Sequence, residues 1–165
     1  MTKLLIIGAK GSLQQAVAAN VLAELEAEIT LFDQNLNLED VTNEMREKVV
    51  TGEISDEPLL ASAMREQDIV FLAVNGNNQA VETIINQMKQ AKVERLILVL
   101  PREISNEVAI NDTVENSGLN YTILRPDWLP LDVASPEEVR HQIAQIATRI
   151  VQDPQNYQTE SMEIN

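Results

Sequence analysis

Gly8-Ala9-Lys10-Gly11-Ser12-Leu13 follows the apolar run Leu4-Leu5-Ile6-Ile7 and opens a helical stretch. The first backbone N–H groups of a helix have no partner within it, and they lie at the positive end of the helix dipole, so a strand that turns on glycine into a helix can cradle a phosphate. Gly8 supplies backbone freedom for the turn, Gly11 allows close approach, and Lys10, Ser12 and Leu13 complete the loop. The Gly-x-x-Gly-x-x-Gly spacing breaks at its third position, where Gln14 stands. A tight turn that binds nothing is the other reading of these residues. Asp33 closes a second apolar run about 25 residues beyond Gly8, near the roughly 20 at which a carboxylate takes the ribose hydroxyls of a dinucleotide. That carboxylate repels a 2′-phosphate, and Gln34 and Asn35 bring no positive charge. NAD is therefore favoured over NADP unless Lys10 reaches the phosphate. The plain alternative is that Asp33 begins a polar turn.

Other chemistries are narrowed by composition. There is no cysteine, which excludes disulfides, thiolate catalysis and Cys-ligated metals. The one histidine, His141, falls on the helix face opposite Val139, Ile143 and Ile146 and is read as solvent-exposed. Glu24, Glu26 and Glu28 read as a solvated helix end, so no metal site is expected. With 12 Lys+Arg against 26 Asp+Glu the formal charge is −14, which repels nucleic-acid backbones and anionic lipid. No apolar run approaches the roughly 18 residues that span a bilayer, and the chain passes from Met1-Thr2-Lys3 straight into a strand, so a cytoplasmic protein is expected. The balance of 44% hydrophobic and 23% charged residues is that of a globular chain, and 165 residues suit one domain.

The elements that must position the loop alternate from end to end. Strands are expected over 3–7, 28–32, 48–53, 68–74, 95–100 and 120–124. Helices are expected over 12–25, around Leu38, Val41 and Met45, after Asp56, over 78–91, over 103–117, and from a capping box at Ser135-Pro136-Glu137-Glu138 to Asp153-Pro154. Ser161-Met162-Glu163-Ile164 reads as a short edge strand. This pattern calls for an α/β fold, a doubly wound parallel sheet in three αβα layers, with strand order 3-2-1-4-5-6 and the tail strand beyond the sixth. The order reverses between the strands that end at Gly8 and at Ala73-Val74-Asn75, and such crevices bind ligands.

Along nearly its whole length the sequence resembles the atypical short-chain dehydrogenase/reductases, in particular the NmrA-like or NAD(P)H-binding group that includes flavin-reductase-like proteins. The resemblance is carried by Ile7 to Leu13, Gly52-Glu53-Ile54-Ser55-Asp56, Asp68-Ile69-Val70-Phe71, and Ser117-Gly118-Leu119-Asn120-Tyr121-Thr122-Ile123-Leu124-Arg125-Pro126. It implies a Rossmann-type fold, a bound NAD(P), Glu53 and Ile54 beside the adenine, and Arg125 beside the nicotinamide. For Arg125 a structural salt bridge is an equal reading. Reductases and epimerases of the group carry a Tyr-x-x-x-Lys pair after the fifth strand, where the lysine lowers the tyrosine pKa for proton transfer. Here that region reads Pro101-Arg102-Glu103-Ile104-Ser105-Asn106-Glu107, and Leu100-Pro101 stands where a serine is usual. Tyr121 reads as packing, Ser105 as a turn or helix residue, and Trp128 either covers a substrate pocket or closes the core.

Two functions follow. One is a small oxidoreductase passing hydride from NAD(P)H to a flavin-like or quinone-like acceptor, which needs little acid–base help. The other is a non-catalytic NAD(P)-binding protein that reports redox state to a regulatory partner. A third, weaker reading has Gln14 filling the pyrophosphate site.

Overall fold

The structure, a computed structural model, describes residues 1–127 and 137–164. Along the chain run β1 (Lys3–Ile7), α1 (Ser12–Glu24), β2 (Glu28–Asp33), β3 (Glu47–Thr51), α2 (Glu57–Met64), β4 (Ile69–Ala73) and α3 (Asn78–Ala91). They are followed by β5 (Arg95–Val99), α4 (Glu107–Glu115), β6 (Asn120–Pro126), α5 (Glu137–Gln152) and β7 (Glu160–Ile164). Among the described residues seven strands form one sheet in the order β3-β2-β1-β4-β5-β6-β7, with every pair parallel. The doubly wound order and the added edge strand are those expected from the sequence.

A parallel strand covered on both faces must be apolar throughout, and Leu4, Leu5, Ile6 and Ile7 are all buried. Successive side chains alternate between two cores. Leu4 and Ile6 join Leu13, Val17 and Val21 of α1 and Ile143, Ala147 and Ile150 of α5. Leu5 and Ile7 join Leu60 of α2, Ile84 and Met88 of α3 and Ile110 of α4. Ala16, Ala19 and Ala23 keep α1 slim, and Asn20 Nδ2 bonds Thr148 Oγ1 across to α5 at 2.6 Å. The last turn of α1 carries no basic residue of its own. Arg46 serves instead, donating to the carbonyls of Leu22 and Ala27, each at 3.0 Å, and of Leu25.

Two expected elements differ. The helix drawn through Leu38, Val41 and Met45 is absent; Leu38–Asp40 makes a single 3₁₀ turn, and Leu38 and Met45 are exposed. Here side chains compete with helical hydrogen bonds. Asn37 Oδ1 accepts from Glu39 N at 2.8 Å, while Glu47 Oε1 accepts from Thr42 N and Asn43 N at 2.9 and 2.8 Å. The helix expected from Glu103 begins only at Glu107. Glu103 and Asn106 adopt left-handed φ of 62° and 60°, which a continuous helix forbids. Glu107 Oε2 closes the turn by accepting from Glu103 N at 3.0 Å. The third strand ends at Thr51, leaving Gly52 and Glu53 in the loop beyond it. By contrast α3 spans 78–91 as expected, capped by Asn77 Oδ1, which accepts from Ala80 N at 3.1 Å. The Ser135-Pro136 half of the expected capping box, Trp128 and Pro130 lie outside the described residues.

At the amino ends of the strands Arg95 is 4% exposed and has no carboxylate partner among the described residues. It donates to neutral acceptors: Nε to Pro154 O at 2.8 Å, Nη1 to Leu96 O and Asn120 O at 3.1 and 3.0 Å, and Nη2 to Thr122 Oγ1 and Asn156 O at 2.7 and 2.9 Å. Burial pushes its pKa down to about 10, so it stays charged at neutral pH. It fastens the 153–157 turn that delivers β7 to the sheet.

Candidate functional site

The reversal of strand order between β1 and β4 opens a cavity of about 560 Å³ at the carboxyl ends of the strands. It is lined by six of the eleven residues singled out from the sequence: Gly8, Asp33, Glu53, Ile54, Ala73 and Asn75. They come from the ends of the four strands β1 to β4 or the loops after them, which a parallel sheet brings to one edge. Sequence reasoning missed the wall contributed by α3, where Gln79 and Thr83 face the cavity. Their four-residue spacing, off the buried Val81, Ile84, Ile85 and Met88 stripe, was the available signal.

The glycine turn borders this cavity. Gly8 has φ of 77°, a conformation that favours glycine. Gly8 N and Ala9 N donate to Phe32 O at 2.8 and 3.2 Å, and Gly11 N to Gly8 O at 2.9 Å. Asp33 accepts from Lys10 N at 2.9 Å through Oδ2 and from Gln34 N at 2.7 Å through Oδ1. Its carboxylate thus ties the end of β2 to the loop. The N–H groups of Ser12, Leu13 and Gln14 precede the first intrahelical bond, from Gln15 N to Gly11 O at 2.9 Å, and Gly11 offers no side-chain cap. Ser12 Oγ is buried with no hydrogen-bond partner among the described residues. Leu13 is fully buried, so only its backbone can meet a ligand. These donors, with an orphaned hydroxyl among them, fit the diphosphate of a dinucleotide.

Lys10, Gly11, Ser12 and Leu13 are near this cavity in the chain but do not line it, and Arg125 is elsewhere. Arg125 lines a separate cavity of about 550 Å³ with Arg102, Glu103, Glu107, Ser161 and Glu163. Its Nη2 is paired with Glu107, while Arg102 meets Asp127 at 3.2 Å and also Glu163. Burial first, then Arg102, lower the Arg125 pKa, and Glu163 opposes them. Where the resemblance would place a Tyr-Lys pair and a serine, Leu100 and Pro101 are buried and Ser105 is exposed in the turn before α4. Tyr121 packs partly buried against the second core, and His141 is exposed on α5.

A family model described as NAD(P)H-binding matches residues 8–111. The chain belongs to the NAD(P)H-binding family. The match spans the glycine turn, the carboxylate at the end of β2 and the cavity wall, and it agrees with the resemblance read from the sequence. A Rossmann-fold NAD(P)-binding family protein from Shigella flexneri is 27% identical, with a TM-score of 0.83 over 100% of this chain and 93% of that one. A short-chain dehydrogenase/reductase from Veillonella parvula in complex with NADP is 21% identical, with a TM-score of 0.84 over 98% of this chain and 93% of that one. An NADPH-dependent quinone oxidoreductase from Escherichia coli is 18% identical, with a TM-score of 0.76 over 98% of this chain and 67% of that one. At their identities the last two show the shared fold. No curated protein matches the sequence. No helix among the described residues is long and apolar enough to cross a membrane.

Proposed function

We propose that this NAD(P)H-binding protein is a small oxidoreductase that passes hydride from the reduced dinucleotide to a flavin-like or quinone-like acceptor. The observation that carries the reading is the convergence of Gly8, Asp33, Glu53, Ile54, Ala73 and Asn75 on one cavity beside an uncapped helix start. When bound, the cofactor supplies the hydride; the acceptor takes it together with a proton from water, leaving the oxidised dinucleotide and the reduced acceptor. The chain's part is to hold and orient. The Ser12 and Leu13 N–H groups and Ser12 Oγ would meet the diphosphate, Asp33 the adenosine ribose, and Glu53 and Ile54 the adenine. No proton donor is required of the side chains, which accommodates Leu100-Pro101 and the missing Tyr-Lys pair. The quinone oxidoreductase among the structural neighbours supports the acceptor class.

The cavity wall also supports NAD over NADP. Among the described residues Asp33 and Glu53 are its charged lining residues, and neither Lys nor Arg lines it. A 2′-phosphate there would meet the Asp33 and Glu53 carboxylates. A second reading, a non-catalytic redox-sensing protein with a regulatory partner, is favoured by the pairing of Arg125 with Glu107. Steady-state oxidation of NADH and NADPH with menadione, a short-chain ubiquinone and FMN separates the two. Turnover, faster with NADH, is expected. Binding of NADH without turnover by any of the acceptors would move the assignment to the sensing protein.

A further inference from the structure

Gln14 stands where the family pattern has its third glycine, and its side chain folds back over the other two. Gly11 has φ −63° and ψ 145°, an extended conformation open to any residue, so space rather than backbone geometry explains a glycine there. That space is filled. A Cβ on Gly11 would overlap the Gln14 carboxamide, and one on Gly8 would come within 3.1 Å of Gln14 Nε2. The carboxamide therefore lies across the α-carbons of both glycines. Gln14 is 8% exposed, and among the described residues its side chain makes no hydrogen bond. Beside it Ser12 Oγ is closed off without a partner among the described residues, and the cavity takes in Gly8 but stops short of residues 10–13.

We propose that Gln14 is a gate on the diphosphate-binding face of the glycine loop, closed in this structure, and that it sets how strongly the protein discriminates a dinucleotide from a free adenosine. The proposal rests on the NAD(P)H-binding reading of the loop. A diphosphate must approach the backbone of the second glycine, which the carboxamide covers, so the two exclude one another. Adenosine in the cavity that ends at Gly8 does not need that face. With no hydrogen bond among the described residues to hold the carboxamide, its rotation outward is within reach of a ligand that fills the loop.

Calorimetric titration of NADH, ADP-ribose and adenosine into the wild-type protein, Gln14→Ala and Gln14→Gly tests this, with thermal melts confirming that each variant is folded. Alanine preserves helix propensity where glycine lowers it, so the Ala variant carries the test if the Gly variant unfolds. Both variants should bind NADH and ADP-ribose about tenfold more tightly, the gain expected when a closed state populated about nine parts in ten is removed. Adenosine affinity should not move. Unchanged or weaker NADH and ADP-ribose binding by Gln14→Ala would overturn the gate, making the carboxamide a filler or a phosphate ligand. Equal tightening of all three ligands would also overturn it. Failure of all three proteins to bind NADH while they remain folded would overturn the reading of the loop itself, and the gate with it.

Discussion

Replacing Asp33 by alanine removes one carboxylate with two separable jobs. In the free protein it accepts from Lys10 N and Gln34 N at 2.9 and 2.7 Å. A hydrogen bond to a charged group contributes about 1.5–3 kcal/mol when buried; Asp33 is only half-buried, so about 1 kcal/mol for each is the fitting scale. The variant should therefore lose about 2 kcal/mol, and at about 2–4 °C per kcal/mol for a chain of this size its melt should fall by about 4–8 °C. Asparagine keeps an acceptor oxygen for one of the two amides and should lose about half as much. In the complex the same carboxylate meets the ribose hydroxyls. Losing that contact should weaken NADH by roughly 10- to 150-fold, the equivalent of about 1.5–3 kcal/mol. NADPH should gain, because the charge repelling its 2′-phosphate is gone. Titration of both cofactors into wild type, Asp33→Ala and Asp33→Asn reads the preference directly. If both variants fold and the ratio of NADH to NADPH affinity stays at the wild-type value, Asp33 serves the loop alone and the ribose assignment is wrong.

Gly11→Val should abolish NADH binding while leaving the protein folded: the extended backbone accepts a side chain, but its Cβ meets the far end of Gln14, which must swing aside, so a loss of about 1–3 kcal/mol is expected; a paired melt and titration checks this, and unchanged affinity would place the diphosphate elsewhere. Arg95→Met should cost about 3 kcal/mol by stranding the carbonyls of Asn120, Pro154 and Asn156, with the loss seen as faster amide exchange in β7. NADH affinity should survive that change, since Arg95 begins β5 at the strand ends opposite the cavity.

The parts of the fold legible in the sequence were those whose cause is local. Leu4 to Ile7 reads as a two-faced buried strand from its composition, and α3 is bounded by the cap that Asn77 forms on its own backbone. The segment around Leu38 and Met45 misled because three apolar residues at helical spacing were outweighed by Asn37 and Glu47 bonding the backbone elsewhere. The late start of α4 depends on left-handed backbone at Glu103, which its residue type does not announce. Arg95 was opaque for a different reason: its acceptors lie on the 153–157 turn and β6, and they meet only once the sheet is assembled. At the site, the turn and its carboxylate follow a known spacing, which singles out Gly8 and Asp33, and both line the cavity. Gln79 and Thr83 become visible only when α3 is laid against the crevice. The substitution at Gln14 was plain in the sequence, but the folding back of its carboxamide over both glycines was not.

Hydride transfer from a dinucleotide held at the glycine loop can be tested in a single turnover. The protein, saturated with NADH under anaerobic conditions, is mixed with excess menadione, and the loss of NADH is followed with protium and with deuterium at the transferring position. The account predicts oxidation that scales with protein concentration, slows severalfold with deuterium and disappears in Gly11→Val. NADH that binds the wild-type protein but is oxidised no faster than in buffer, or equally fast in Gly11→Val, would contradict it.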